Sequence, residues 1–191
     1  MDNTLTGIIL AGGKSLRMGT DKALIEINGQ SMIKKAYLLL KDLCDEIILS
    51  TTGSYFFKGI KKVSDEKPGL GPIGGIYSCL KQSGTDKNLV LAVDIPFVNQ
   101  DILKFLIENI DNSDVIFPLN ELGKIEPLCA IYSKSILPAI EKMIQQGDFK
   151  VQNLKQYINV KTIQISRDQK FFDEKLFLNL NTPADLKKLS E

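Results

Sequence analysis

The stretch GIILAGGKSLRMGTDK, Gly7 to Lys22, decides the fold. The apolar run GIIL is the right length and composition for a buried strand. Three glycines, two lysines and an arginine follow within Leu10 to Lys22, which is the composition of a loop that wraps an anion. Glycines let backbone N–H groups face a ligand with no Cβ in the way, and Lys14, Arg17 and Lys22 supply positive charge. Phosphate is the natural guest; an ordinary basic turn is the plainer alternative. The pattern is not GxxxxGK[ST], because no Gly-Lys-Ser/Thr triplet closes it, and not GxGxxG, because the spacing differs.

Working outward, further short apolar runs alternate with helical patterns. EIILS (Glu46 to Ser50), LVLAV (Leu89 to Val93) and DVIFPL (Asp114 to Leu119) are bounded by polar or turn residues, as buried parallel strands should be. Lys161 to Ile165 alternates like a half-exposed strand at a sheet edge. Met32, Ile33, Ala36, Tyr37, Leu40 and Leu43 share one helical face, as do Ile102, Leu103, Phe105, Leu106 and Ile110. A third helix carries Ile136 to Ile144 with Gly147 as its stop, and a last one starts at Thr182 as N-cap with Pro183 at the first helical position. The alternation predicts a three-layer α/β fold with a mostly parallel sheet.

Composition bounds the rest. With 191 residues and 43% hydrophobic content, one domain spanning 1–191 is expected. The net charge of +1 gives no global field for nucleic acid or an anionic membrane. No apolar run approaches the ~18 residues of a membrane span. The start MDNTLTG lacks a signal-peptide pattern, so a cytoplasmic location is expected. The three cysteines, Cys44, Cys79 and Cys129, are far apart and form no CxxC pair, so they read as small core residues. There is no histidine, which removes Ser-His and Cys-His nucleophiles and any histidine metal ligand. Chemistry must run on carboxylates, lysine, arginine, backbone amides or a metal.

Asp94 ends an apolar strand in LVLAVDIPF and emerges at the same sheet edge as the glycine loop, where α/β folds bind ligands. A carboxylate there can hold Mg2+ against a nucleotide's phosphates, or simply cap the next helix. VSDEKPGLGPIGGI supplies a second acid, Asp65, and a second flexible loop that can lie over a base or ribose; alone, Asp65 reads as a solvated loop residue.

Together these segments resemble the molybdenum cofactor guanylyltransferases, within the wider group of nucleotidyltransferases that open with a glycine-rich loop. LAGGKSLRMGTDK is similar to that family's first motif nearly throughout, GPIGGI to its second and DIPF to its third; EPLCAIY (Glu126 to Tyr132) and NLNTPAD (Asn179 to Asp185) also match. The resemblance covers almost the whole chain in order and implies a single Rossmann-like nucleotidyltransferase domain. It implies that Leu10, Ala11 and Gly12 contact a guanine nucleotide through backbone, with Gly13 and Arg17 near its phosphates. Lys22 would approach the α-phosphate, Asp65 the nucleoside, and Asp94 would bind through Mg2+. By the same resemblance, Lys150, Asn181 and Thr182 would fall on the molybdopterin side. Where many members carry asparagine after the second strand, this chain has STTG, beginning at Ser50, whose hydroxyls can still hydrogen-bond a base edge.

The implied reaction transfers GMP from GTP to the terminal phosphate of molybdopterin and releases pyrophosphate, with Lys22, Arg17 and Asp94 as its catalytic set. The resemblance also implies transient contact with molybdoenzymes or their chaperones. Two alternatives stay open: another nucleotidyltransferase, moving CMP to molybdopterin or a nucleotide to a sugar phosphate, and a non-enzymatic carrier of nucleotide or cofactor. The glutamine-rich second motif of the cytidylyl relatives is missing, and a carrier would need neither Lys22 nor Asp94.

Overall fold

The computed structural model describes residues 4–12, 21–55, 57–180 and 185. Its centre is a seven-stranded sheet in the order β5-β4-β1-β6-β8-β7-β9. The strands are β1 (Leu5–Leu10), β4 (Glu46–Ser50), β5 (Lys61–Val63), β6 (Lys87–Ala92), β7 (Val115–Leu119), β8 (Cys129–Ser133) and β9 (Val160–Gln164). Successive side chains of a strand point to opposite faces, yet every residue of β1 and β8 is buried, so both faces of the sheet are covered. The longer α-helices among the described residues are α1 (Met32–Leu40), α2 (Pro72–Gln82), α3 (Gln100–Glu108) and α4 (Leu137–Gln145). The expected three-layer, mostly parallel α/β architecture is what forms.

Register fixes where the strands end. Ile8 lies between Ile48 and Val90, and Leu10 between Ser50 and Ala92, so β1, β4 and β6 finish in one row. Ile8, Ile9, Ile48, Leu49 and Val90 are fully buried between them. A two-residue hairpin joins β2 (Glu26–Ile27) to β3 (Gln30–Ser31); its corner is Asn28-Gly29, both at positive φ (55° and 74°), the conformation that turn requires.

Three elements differ from the sequence reading. GPIGGI is not a loop lying over a ligand: Gly71 is the N-cap of α2, Pro72 its first residue, and the following glycines are buried inside the helix. Only the preceding turn is irregular, with Gly69 and Gly71 at φ of 89° and 69°, where a Cβ would be strained. The short β5 is not among the expected strands, because a three-residue strand carrying Lys61 and Lys62 shows no apolar run. EPLCAIY contains β8, which runs against both β6 and β7 and makes the sheet mixed at that point. Because β8 reverses, β7 stays parallel to β6, and the β7–β8 hairpin turns at the edge where β6 ends. Asn120 organises that turn: its Oδ1 accepts from Leu122 N–H and Lys124 N–H, both at 3.0 Å. β9 is the edge strand, as expected. The helix read from Thr182 and Pro183 lies outside the described residues, apart from Asp185, which is helical.

Candidate functional site

The carboxyl ends of the strands form one rim, held by hydrogen bonds that cross from loop to loop. Ala11 N–H donates to the Ser50 carbonyl (3.0 Å), Thr51 N–H to Val63 (2.9 Å), Val93 N–H to Leu10 (3.1 Å) and Ala92 N–H to Leu128 (2.8 Å). These bonds bring Ala11, Ser50, Asp65, Asp94 and the Glu126–Leu128 turn to a common edge. They also engage the Leu10 carbonyl and the Ala11 amide within the sheet, and Gly12, the next residue, is exposed. Gly13 and Arg17 lie outside the described residues.

Asp94 follows β6 and is largely enclosed. Its Oδ1 is buried with no hydrogen-bond partner among the described residues, and so is the Oδ1 of Asn179. The two residues are neighbours, because Leu180 N–H donates to the Asp94 carbonyl at 2.8 Å and so docks the late NLN segment on the end of β6. Burial raises the Asp94 pKa above its usual value, opposed by the Lys22 ammonium and by the Asn179 side chain. A buried, unsatisfied carboxylate oxygen is costly by itself, so this one points to a partner that comes and goes. Lys22 opens the 3-10 turn Lys22–Leu24, which Asp21 caps by accepting from Ala23 N–H at 3.0 Å.

Ser50 and Asp65 form the other half of the rim. The Ser50 Oγ donates to Asp65 Oδ1 at 3.4 Å, and burial lifts the Asp65 pKa while that bond opposes the rise. The two glycines of α2 explain how they fit. A Cβ on Gly75 would sit 2.7 Å from Ser50 Oγ and 3.4 Å from Asp65 Oδ1, and one on Gly74 would sit 3.2 Å from the Lys67 carbonyl. The helix therefore lies directly against both side chains. Thr51 spends its Oγ1 accepting from Gly53 N–H at 2.9 Å.

One expected position does not join this cluster. Lys150 is exposed, and its N–H donates to Asp148 Oδ1 at 3.1 Å, which ties it to the turn after α4. Asn181 and Thr182 lie outside the described residues. Sequence reasoning singled out neither Asn179 nor Glu126, although both stand in quoted motifs. Glu126 is half-buried at the rim, accepts from Asn120 Nδ2 at 2.7 Å, and burial raises its pKa. No spacing rule marks either residue; only the docking of their segments on β6 does.

Among the described residues no three acidic or sulfur-bearing side chains gather into a metal cage. Mg2+ does not need one, since it takes one or two protein oxygens and completes its shell with phosphate oxygens and water. The orphaned Oδ1 atoms of Asp94 and Asn179 fit that demand.

The profile described as the MobA-like NTP transferase domain matches residues 7–161 of this sequence. The chain belongs to that family. This MobA-like chain is 37% identical over 187 residues to the "probable molybdenum cofactor guanylyltransferase" of Carboxydothermus hydrogenoformans, covering 97% of this chain and 94% of that protein. It is 32% identical over 191 residues to the molybdenum cofactor guanylyltransferase of Desulfosudis oleivorans, covering 97% and 94%. Its fold superposes on molybdopterin-guanine dinucleotide biosynthesis protein A from Archaeoglobus fulgidus with a TM-score of 0.79, at 26% identity, over 96% of this chain and 95% of that one. Family membership makes the MobA-like chain a nucleotidyltransferase. None of its described helices is long and apolar enough to cross a membrane.

Proposed function

We propose that this enzyme transfers GMP from GTP to the terminal phosphate of molybdopterin, as the names of its relatives indicate for those proteins. The observation that carries the reading is the buried, unsatisfied Asp94 oxygen at the carboxyl edge of a mostly parallel sheet, in a carboxylate on which the Lys22 ammonium acts. In this reading a phosphate oxygen of molybdopterin attacks the α-phosphorus of GTP, the bond from α-phosphorus to the α–β bridging oxygen breaks, and pyrophosphate leaves with that electron pair. The attacking phosphate is already anionic near neutral pH, so no general base is needed and the lack of histidine is no obstacle. The residues must align two mutually repelling anions and neutralise the charge that develops.

Lys22 faces the α-phosphate as a fixed cation, with Arg17 assisting. Asp94 and Asn179 hold Mg2+, which supplies charge neutralisation and a template for the phosphates when bound. Gly12 and Gly13 offer backbone N–H groups, while Asp65 and Ser50 face the nucleoside. Lys150, Asn181 and Thr182 belong to the molybdopterin side. The chain acts as one domain in the cytoplasm and passes its product to molybdoenzymes or their chaperones.

Ser50 and Thr51 already use their hydroxyls internally, so base selection is a preference of roughly ten- to a hundred-fold, the worth of one or two net hydrogen bonds. The test is to incubate purified protein with Mg2+, molybdopterin and each nucleoside triphosphate in turn, then identify the dinucleotide by mass spectrometry. The guanine dinucleotide is expected to dominate; faster formation of the cytosine dinucleotide would overturn the guanylyl assignment.

A further inference from the structure

We propose that Tyr55 is a positioning residue for the transfer reaction: through Asp21 it fixes the short turn from which Lys22 projects, and so ties the cation to the loop after β4. The tyrosine is buried at 7% exposure, and its hydroxyl donates to Asp21 Oδ2 across 34 positions of sequence. The other oxygen of the same carboxylate, Oδ1, accepts from Ala23 N–H at 3.0 Å. Asp21 therefore grips the turn with one oxygen and the tyrosine with the other. Two backbone bonds close the turn around Lys22: Leu24 N–H to the Asp21 carbonyl (3.0 Å) and Ile25 N–H to the Lys22 carbonyl (3.1 Å).

The tyrosine's own end is equally fixed. Gly53 lies against its ring so closely that a Cβ there would stand 2.8 Å from two ring carbons. Gly53 N–H is held by Thr51 Oγ1, and Thr51 N–H is held by β5 through Val63. Ser50, which ends β4, accepts from Ala11 N–H at the opposite flank of the glycine-rich stretch. Both described flanks of that stretch, Ala11 on one side and Asp21 on the other, are thus staked to one six-residue segment, 50–55. A tyrosine that served packing alone would need only some acceptor within reach. Here the acceptor is the carboxylate that caps the turn carrying the cation, and that cation acts on Asp94.

The inference rests on the reading of Lys22 as the cation at the α-phosphate, and the experiment separates the two. Initial rates with GTP, Mg2+ and molybdopterin are measured for Tyr55→Phe, Lys22→Ala and the double variant, in an assay sensitive enough to follow Lys22→Ala. Tyr55→Phe keeps the ring and loses the hydroxyl, so kcat should fall about three- to tenfold, the scale of one hydrogen bond, with KM for GTP changed less. In the Lys22→Ala background the same substitution should cost nothing further, because the group it positions is gone. Asp21→Asn keeps an oxygen for Ala23 N–H and offers its amide to the tyrosine oxygen, so it should retain more activity than Asp21→Ala. An unchanged kcat in Tyr55→Phe, or an equal loss in both backgrounds alongside a lowered Tm, overturns the positioning role while Lys22 keeps its own. Parental activity in Lys22→Ala would instead remove the reading on which it rests.

Discussion

Substituting Gly75 by alanine sets two known effects against each other inside α2. In a helix interior alanine is favoured over glycine by about 1 kcal/mol, so propensity alone should stabilise. The new methyl would stand 2.7 Å from Ser50 Oγ, inside any real carbon contact, and 3.4 Å from Leu10 Cδ2 and Asp65 Oδ1, where it fits. Overpacking typically costs ~1 to 3 kcal/mol, but the offending atom here is a hydroxyl that can rotate away. We therefore expect a net stability change within about 1 kcal/mol, or roughly 2 to 4 °C in Tm for a chain of this size. The rotation breaks the 3.4 Å bond from Ser50 to Asp65 and turns both groups from their present positions at the rim. KM for GTP should rise by roughly three- to tenfold with kcat less affected, the signature of lost ground-state binding. The decisive assay adds Ser50→Ala: with the hydroxyl removed, Gly75→Ala should raise Tm by about 2 to 4 °C relative to Ser50→Ala alone, because propensity then acts unopposed. A Gly75→Ala protein with parental KM, or a double variant less stable than Ser50→Ala, would refute the close approach of helix and serine.

Three further outcomes follow from the same geometry. Asp94→Asn should lower kcat by ~10²- to 10³-fold, the usual cost of one well-placed electrostatic element, and kcat measured against Mg2+ concentration should show partial recovery that Lys22→Ala lacks. The same variant should be more heat-stable than the parent at neutral pH when no ligand is present. Burial raises the Asp94 pKa in the folded state, so the unfolded chain loses this proton first; the cost of the charge sets in as pH rises through that window, and melting curves should converge as pH falls below the ordinary carboxylate value of 3.8. Finally, burial pushes the thiols of Cys44 and Cys79 up to about 12, so iodoacetamide at pH 8 should label the native protein far more slowly than the unfolded chain, as mass spectrometry would show.

Much of the fold was legible because its signals are local. GIIL, EIILS and LVLAV form strands whose apolar runs need no context, and Asp94 could be placed at the rim because it directly follows one of them. What stayed hidden depends on contacts distant in sequence. α2 carries a Pro-Ile-Gly-Gly start that propensity assigns to a loop, and the helix forms because those glycines let it press against Ser50 and Asp65. β8 was quoted only as a motif, since five apolar-leaning residues do not announce their direction; pairing with β6 and β7 does. Tyr55 and Asn179 look like ordinary loop residues until their partners, Asp21 and Asp94, are brought to them by the sheet.

The reversal of β8 has a consequence for how such a protein can diversify. It places a hairpin tip, Asn120 to Lys124 with Leu122 78% exposed, on the β6 side of the rim, away from the Ser50, Asp65 and Gly75 cluster. Doubling the length of such a tip costs only ~0.6 kcal/mol of closure entropy, because the ladder beneath it is untouched. On the other side of the rim a single added methyl at Gly75 already stands 2.7 Å from Ser50 Oγ. Length can thus vary at the hairpin by insertion, while the contact of α2 with Ser50 and Asp65 is held by packing.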